Sequence, residues 1–255
     1  MDIGFKLPSI NRIGIAEPFR WLGGAVGDLV QAPAACLTYG LLLSAASLGL
    51  CYGIYRTNAA YWVLAISLGF VFIAPMMAMG IYEAGRRLEA GQKPQLGQIL
   101  FVRQAVRQDT AYLGVVLMLI YMFWGQIAQI VYGLSTYQIH RTPQALFDFA
   151  FHSTDGLRMV AIGTVIGGVL AFITFSLVVV SAPMLLDRNE NVFVAAVTSV
   201  RAVNANFGPL LLWALMISAL MTLSALTGFI ALIVVFPLLG LASWRAYRAL
   251  VGARS

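Results

Sequence analysis

Few side chains in this chain could do chemistry, and their spacing limits what that chemistry can be. The two histidines, His140 and His152, lie in one polar interval, with Asp148 and Asp155 as the nearest acids. A metal centre needs three or four converging ligands, and a bis-histidine haem needs two imidazoles facing each other between helices. Neither histidine falls inside an apolar run, so no metal or cofactor is expected, and solvated or interfacial histidines are the default. Cys36 and Cys51, if both lie on one helix, stand about 22 Å apart along its axis, too far to bridge. Gln126 and Gln129 sit three apart on one face of an apolar run, where amides ordinarily hydrogen-bond between helices; they are also the candidates for a polar path. No phosphate-cradling loop, Cys/His cluster or nucleophile elbow occurs. The chain is not expected to be an enzyme.

The elements that must carry these groups are read from hydropathy. The 255 residues are 60% hydrophobic and only 10% charged, with a mean hydropathy of +0.86, whereas a soluble domain carries about a quarter charged residues. The apolar residues fall into blocks near the roughly 20 needed to cross a bilayer. The expected fold is an all-α membrane protein of six transmembrane helices with short interfacial amphipathic helices. Spans are expected at 34–55, 60–82, 111–134 and 159–186. The uncharged run 209–242 would form a rod of about 51 Å, too long for a core of roughly 30 Å. It therefore reads as two spans joined by a turn near 224–228. The domain reading is 1–33 as an N-terminal segment with an interfacial helix, 34–246 as the transmembrane domain, and 247–255 as a basic tail.

Charge fixes orientation. Under six spans, thirteen of the sixteen basic residues fall on one side, and only Arg56, Arg141 and Arg158 on the other. That asymmetry places both termini in the cytoplasm. The net charge of +6 then serves topology and anionic lipid, and nucleic acid is not an expected partner. The charged interval 83–110 holds Arg86 and Arg87 as topology anchors, a turn around 91–94, and an interfacial stretch with Ile99, Leu100, Val102 and Val106. With Glu89, Arg103, Arg107 and the later Arg201, these are the candidates for topology or partner docking.

Smaller signals complete the reading. From Glu17-Pro18, Phe19, Leu22, Ala25, Val26 and Leu29 recur at helical spacing, opposite Arg20, Gly23, Gly24, Gly27 and Asp28, as in a helix lying on the membrane. Thr142 and Pro143 open a second surface helix rich in aromatic residues. Gly163, Gly167 and Gly168 are the candidates for close helix packing. A weak parallel repeat of spans 2–3 and 4–5 pairs Ala74-Pro75 with Ala182-Pro183, and Arg107…Gly114 with Arg201…Gly208. No charge lies in the middle third of any span, which argues against a proton-coupled transporter.

The order Trp21…Asp28…Pro33…Tyr39-Gly40, then Pro75…Tyr82-Glu83-x-x-Arg86-Arg87-Leu88-Glu89-x-Gly91, with Ala182-Pro183-Met184-Leu185-Leu186-Asp187 and Ser199…Asn204, resembles a bacterial integral membrane protein family of unknown function. Its members are sometimes labelled cytochrome c oxidase subunits. The resemblance implies a six-helix inner-membrane protein and supplies no catalytic residue. The label implies at most proximity to respiratory complexes, because the chain lacks the intramembrane histidines of a haem–copper subunit. The function expected is that of a non-catalytic accessory, assembly or organising subunit, in contact with the lipid bilayer and with other membrane-protein subunits. The alternative is a transporter or channel for a neutral or apolar solute.

Overall fold

The computed structural model describes residues 7–56, 74–140 and 142–252. Among them the chain is helical, with no strand beyond an isolated bridge between Ile10 and Val251. The elements are α1 (Glu17–Gln31), α2 (Pro33–Arg56), α3 (Met79–Glu89), α4 (Leu96–Leu100), a 3-10 turn (Arg103–Val106), α5 (Gln108–Ser135), α6 (Pro143–His152), α7 (Thr154–Val178), α8 (Ser181–Asp187), α9 (Val192–Ala205), α10 (Phe207–Leu226) and α11 (Leu232–Leu250). Five stretches among the described residues are long and apolar enough to cross a membrane: Pro33–Gly53, Gln108–Ser135, Thr154–Asp187, Phe207–Leu226 and Leu232–Leu250. The span expected at 60–82 lies outside the described residues up to position 73; beyond it the chain is helical at 74–77 and again in α3.

The chain divides into two units. The first contains residues up to Ser44, Pro75–Gly114 and Phe175–Ser255. Within it α2 and α11 run antiparallel. Tyr39 stacks on Phe236 at 6.5 Å, and five residues later the Ser44 hydroxyl donates to the Phe229 carbonyl at 2.8 Å. By contrast α3 runs parallel to α11. A side chain added at Gly240 would meet Ile81, and one added at Gly85 would meet the Trp244 ring at 2.8 Å. These two glycines, one on each helix, let the facing side chain settle against bare backbone.

The apolar run at 209–242 does fold as two helices. The Gly228 and Phe229 φ angles of 60° and 65° reverse the chain, and the Phe229 amide closes the end of α10 on the Ser224 carbonyl. The second helix continues to Leu250, past the expected end at 242 and past the expected domain boundary at 246. Tyr247, Leu250 and Val251 are buried, so the described part of the basic tail is packed structure. Charge ended the span too early, because the arginines there are paired within the protein.

Helix α1 also forms where expected, with a different buried face. Pro18, Trp21, Ala25 and Asp28 are buried against α11 and α10, while Phe19 and Val26 are exposed. Ala25 thus belongs with Trp21 and Asp28, not with Phe19 and Val26. The cause is an acid–base pair that hydropathy cannot register. Trp21 meets Trp213 edge to face at 5.8 Å. Neither indole N–H has a conventional acceptor; the ring contact offsets part of that cost.

The long stretch Thr154–Asp187 is broken after Val178. Pro183 cannot donate to the Val179 carbonyl four residues back, and the Val180 amide, which precedes the first turn of α8, donates to the Ser199 hydroxyl of α9 at 3.1 Å. Both residues are fully buried. Ser199→Ala should therefore cost about 1–3 kcal/mol, read as a lower melting temperature of the purified protein.

The two intervals of the supposed repeat take different forms. The first is α4 followed by a 3-10 turn, and Arg107 stands between that turn and α5. The second is a continuous α9 of 14 residues with Arg201 inside it. Phe101 (φ −115°, ψ 70°) and the extended Val102 leave the helical region and interrupt the first. In the second, Asn191 caps α9 by accepting from the Phe193 amide at 2.8 Å, and the helix runs on without a break.

The second unit holds Ala45–Ala74 and Val115–Thr174. Here α6 begins where the sequence places it, with Thr142 accepting from the Ala145 amide at 3.2 Å and Pro143 in the first turn. Ser153 then caps α7 through the Gly156 amide at 2.9 Å. His140 is not simply solvated. Its Nδ1 lies 2.8 Å from the Tyr132 hydroxyl, which also accepts from the His140 backbone amide, and its ring stacks on Phe149 at 4.6 Å.

Candidate functional site: a polar belt at the helix ends

Four acids and five arginines of the first unit meet where helices end. On α1, Asp28 is 8% exposed and receives both Nε and Nη2 of Arg245 at 2.6 Å. Gly24, one turn earlier, makes this possible, since a Cβ there would meet the guanidinium at 2.7 Å. On α3, buried Glu83 accepts from Arg86 at 2.7 and 2.8 Å and from Arg87 at 2.7 Å. The i, i+3 and i, i+4 spacing puts all three on one helical face. Hydrogen bonding to Glu83 raises the Arg86 guanidinium further above its ordinary range, against partial burial, with the Asp187 carboxylate adding to the effect.

Helix α11 ties these acids together. Trp244 Nε1 donates to Glu89 at 3.0 Å and Arg248 Nε at 2.9 Å, from positions four apart on one face. The Tyr247 hydroxyl donates to Asp187 at 2.7 Å and accepts from Arg188 at 3.0 Å. Arg188, itself buried, also donates to the Gly252 carbonyl at 2.7 Å. Beside this cluster, Arg107 donates to Asn189 at 2.7 Å and Asp109 accepts from the Val192 amide at 3.0 Å. Asn206, between α9 and α10, accepts from the Ile13 amide and donates to the Asn11 carbonyl.

The belt gathers Arg86, Arg87 and Glu89 of the residues singled out by sequence, and Arg107 lies beside it on Asn189. Arg103 and Arg201 are exposed outside it. Of the small residues proposed for packing, a Cβ added at Gly167 would meet the Trp124 ring at 2.9 Å, whereas one added at Gly163 or Gly168 would meet nothing within 4 Å. Gln126 and Gln129 are exposed on the second unit. Sequence reasoning missed Asp28, Asp187, Arg188, Trp244, Arg245, Tyr247 and Arg248 as working parts of a site. The signal for the last four was Trp-x-x-Tyr-Arg spacing at the end of an apolar run. No group of three metal-ligating side chains occurs among the described residues.

Such an arrangement neutralises charge and fastens helix ends. Fold and belt together define an all-helical, multi-pass integral membrane protein. Residues 63–187 match the sequence model of a family described as "Predicted integral membrane protein (DUF2189)", so the chain is similar to that family over the stretch containing Glu83, Arg86, Arg87, Glu89 and Asp187. No curated protein and no solved structure matches the chain.

Proposed function

We propose that this protein is a non-catalytic, accessory, assembly or organising subunit of a larger membrane complex. Its setting is a bacterial cell inner membrane, with respiratory complexes as one candidate partner. Both termini and the polar belt face the cytoplasm, with residues 1–33 forming an interfacial segment. The observation that carries this reading is that Asp28, Glu83, Glu89 and Asp187 each engage an arginine within the unit. Acids fully committed to ion pairs suit a scaffold better than catalysis or proton transfer. The thirteen-to-three distribution of basic residues supports the orientation. Exposure of Gln126 and Gln129 on their own unit gives no support to a solute path. Purification from native membranes in mild detergent tests the proposal. A partner should copurify in fixed stoichiometry, and Arg86→Glu with Arg87→Glu should release it; a protein that always emerges alone contradicts the reading.

A further inference from the structure

Three surface elements of the first unit share one construction. Helix α1 is separated from α2 by Ala32 alone, the 3-10 turn from α5 by Arg107 alone, and α9 from α10 by Asn206 alone. Each following helix is long and apolar enough to cross a membrane. One residue spans at most about 3.6 Å, so each surface element is held at the level where its span enters the bilayer.

Each element also exposes large apolar side chains that the unit does not cover. Phe19 and Val30 are 58% and 72% exposed on α1, Phe101 and Val106 both 83% around the 3-10 turn, and Phe193 and Val197 74% and 47% on α9. An exposed arginine accompanies each pair: Arg20, Arg103 and Arg201. On α9, Phe193, Val197 and Arg201 follow at four-residue intervals along one face. On α1 three faces separate around the axis. Trp21, Ala25 and Asp28 pack on protein, Phe19, Val26 and Val30 form an exposed apolar stripe, and Arg20, Gly23, Gly27 and Gln31 lie beyond it. A helix on a membrane surface beside its own bundle needs those three faces, one each for protein, acyl chains and water.

We infer that α1, the 3-10 turn and α9 form a collar that seats in the headgroup layer and binds anionic phospholipid. The apolar side chains enter the acyl boundary, and Arg20, Arg103 and Arg201 meet the phosphates. The positive ends of the α5 and α10 dipoles point the same way, since both helices begin at this level. This inference does not depend on whether the protein has a partner complex.

The test uses the purified full chain carrying Cys36→Ala and Cys51→Ala, spin-labelled at Val30→Cys, Val106→Cys or Val197→Cys, with Lys93→Cys as the control. Each is reconstituted in vesicles of phosphatidylcholine, or of equal parts phosphatidylcholine and phosphatidylglycerol. The three collar labels should be relaxed by oxygen and shielded from a water-soluble nickel chelate, with the control showing the reverse. Preference for spin-labelled phosphatidylglycerol over phosphatidylcholine should fall about fivefold for each of Arg20→Gln, Arg103→Gln and Arg201→Gln, and should weaken at high salt. Collar labels open to the chelate overturn the inference, as do labels shielded from both reagents, which would mean a second copy or another protein covers them. An unchanged lipid preference in the arginine variants overturns the anionic specificity.

Discussion

Gly40→Ala is expected to destabilise the protein more than any other single methyl addition in α2. An added Cβ would lie 2.1 Å from the Ile233 carbonyl oxygen of α11, and that neighbour is backbone, which cannot swing aside. The approach is this close for a reason in the sequence. Pro237 has no amide proton, so the Ile233 carbonyl four residues earlier loses its helical partner. Gly40 lets α2 lie directly over that orphaned oxygen and hide it. Alanine would force the helices apart and reopen the gap, at a cost of about 3 kcal/mol. For a chain of this length, that lowers the melting temperature by roughly 10 °C. Gly49→Ala and Gly53→Ala provide the control, since a Cβ added at either position would meet nothing within 4 Å outside its own helix backbone and chain neighbours. Both should melt within a degree or two of the parent. Equal losses at all three positions would refute the packing account and favour a general intolerance of α2 to substitution.

The second large effect is expected at Asp187. Its carboxylate accepts from Tyr247 and lies 3.7 Å from Arg188 and 3.5 Å from Arg248. Arg188 is 6% exposed, so deleting the acid leaves a buried guanidinium without its nearest counter-charge. Breaking one side of a buried pair costs about 3–5 kcal/mol, and Asp187→Ala should approach the lower end because Tyr247 and the Gly252 carbonyl remain as partners. Asp187→Asn combined with Arg188→Met should be milder than Asp187→Ala alone, since no buried charge is then left unpaired. Thermal unfolding of the three variants in detergent decides it. If the double variant is the worst, the charge argument fails and loss of contact area explains the effect.

These predictions concern residues that entered the sequence reading only through the family resemblance, with no role assigned, and the reasons are physical. Local signals read well. Thr142-Pro143 opens α6, Gly91 with φ 71° ends α3, and a polar break divides the long apolar run into α10 and α11. Each depends on residues a few positions apart. The belt does not: Asp28 and Arg245 are separated by 217 residues and Trp244 and Glu89 by 155. In one dimension those arginines look like free topology markers. The packing glycines were hidden for a related reason. Spacing drew attention to Gly163, Gly167 and Gly168, yet what makes Gly40, Gly80 and Gly85 indispensable is the neighbouring backbone or ring. Gly80 faces the Ile99 carbonyl and the Tyr39 ring, and Gly85 faces Trp244. The face of α1 was misjudged because hydropathy ranks Asp28 as solvent-seeking, while a bidentate arginine lets it be buried beside Trp21.

The central claim is that the belt clamps helix ends together and that its charges act in pairs. A double-mutant cycle on Asp28 and Arg245 tests it most directly, using Asp28→Ala, Arg245→Ala and the combination, each measured by thermal unfolding of the purified protein. The clamp predicts a coupling of about 2 kcal/mol or more, with the double variant no less stable than Arg245→Ala, because removing Asp28 as well removes the stranded charge. Costs that simply add, with no coupling between the two positions, would contradict it.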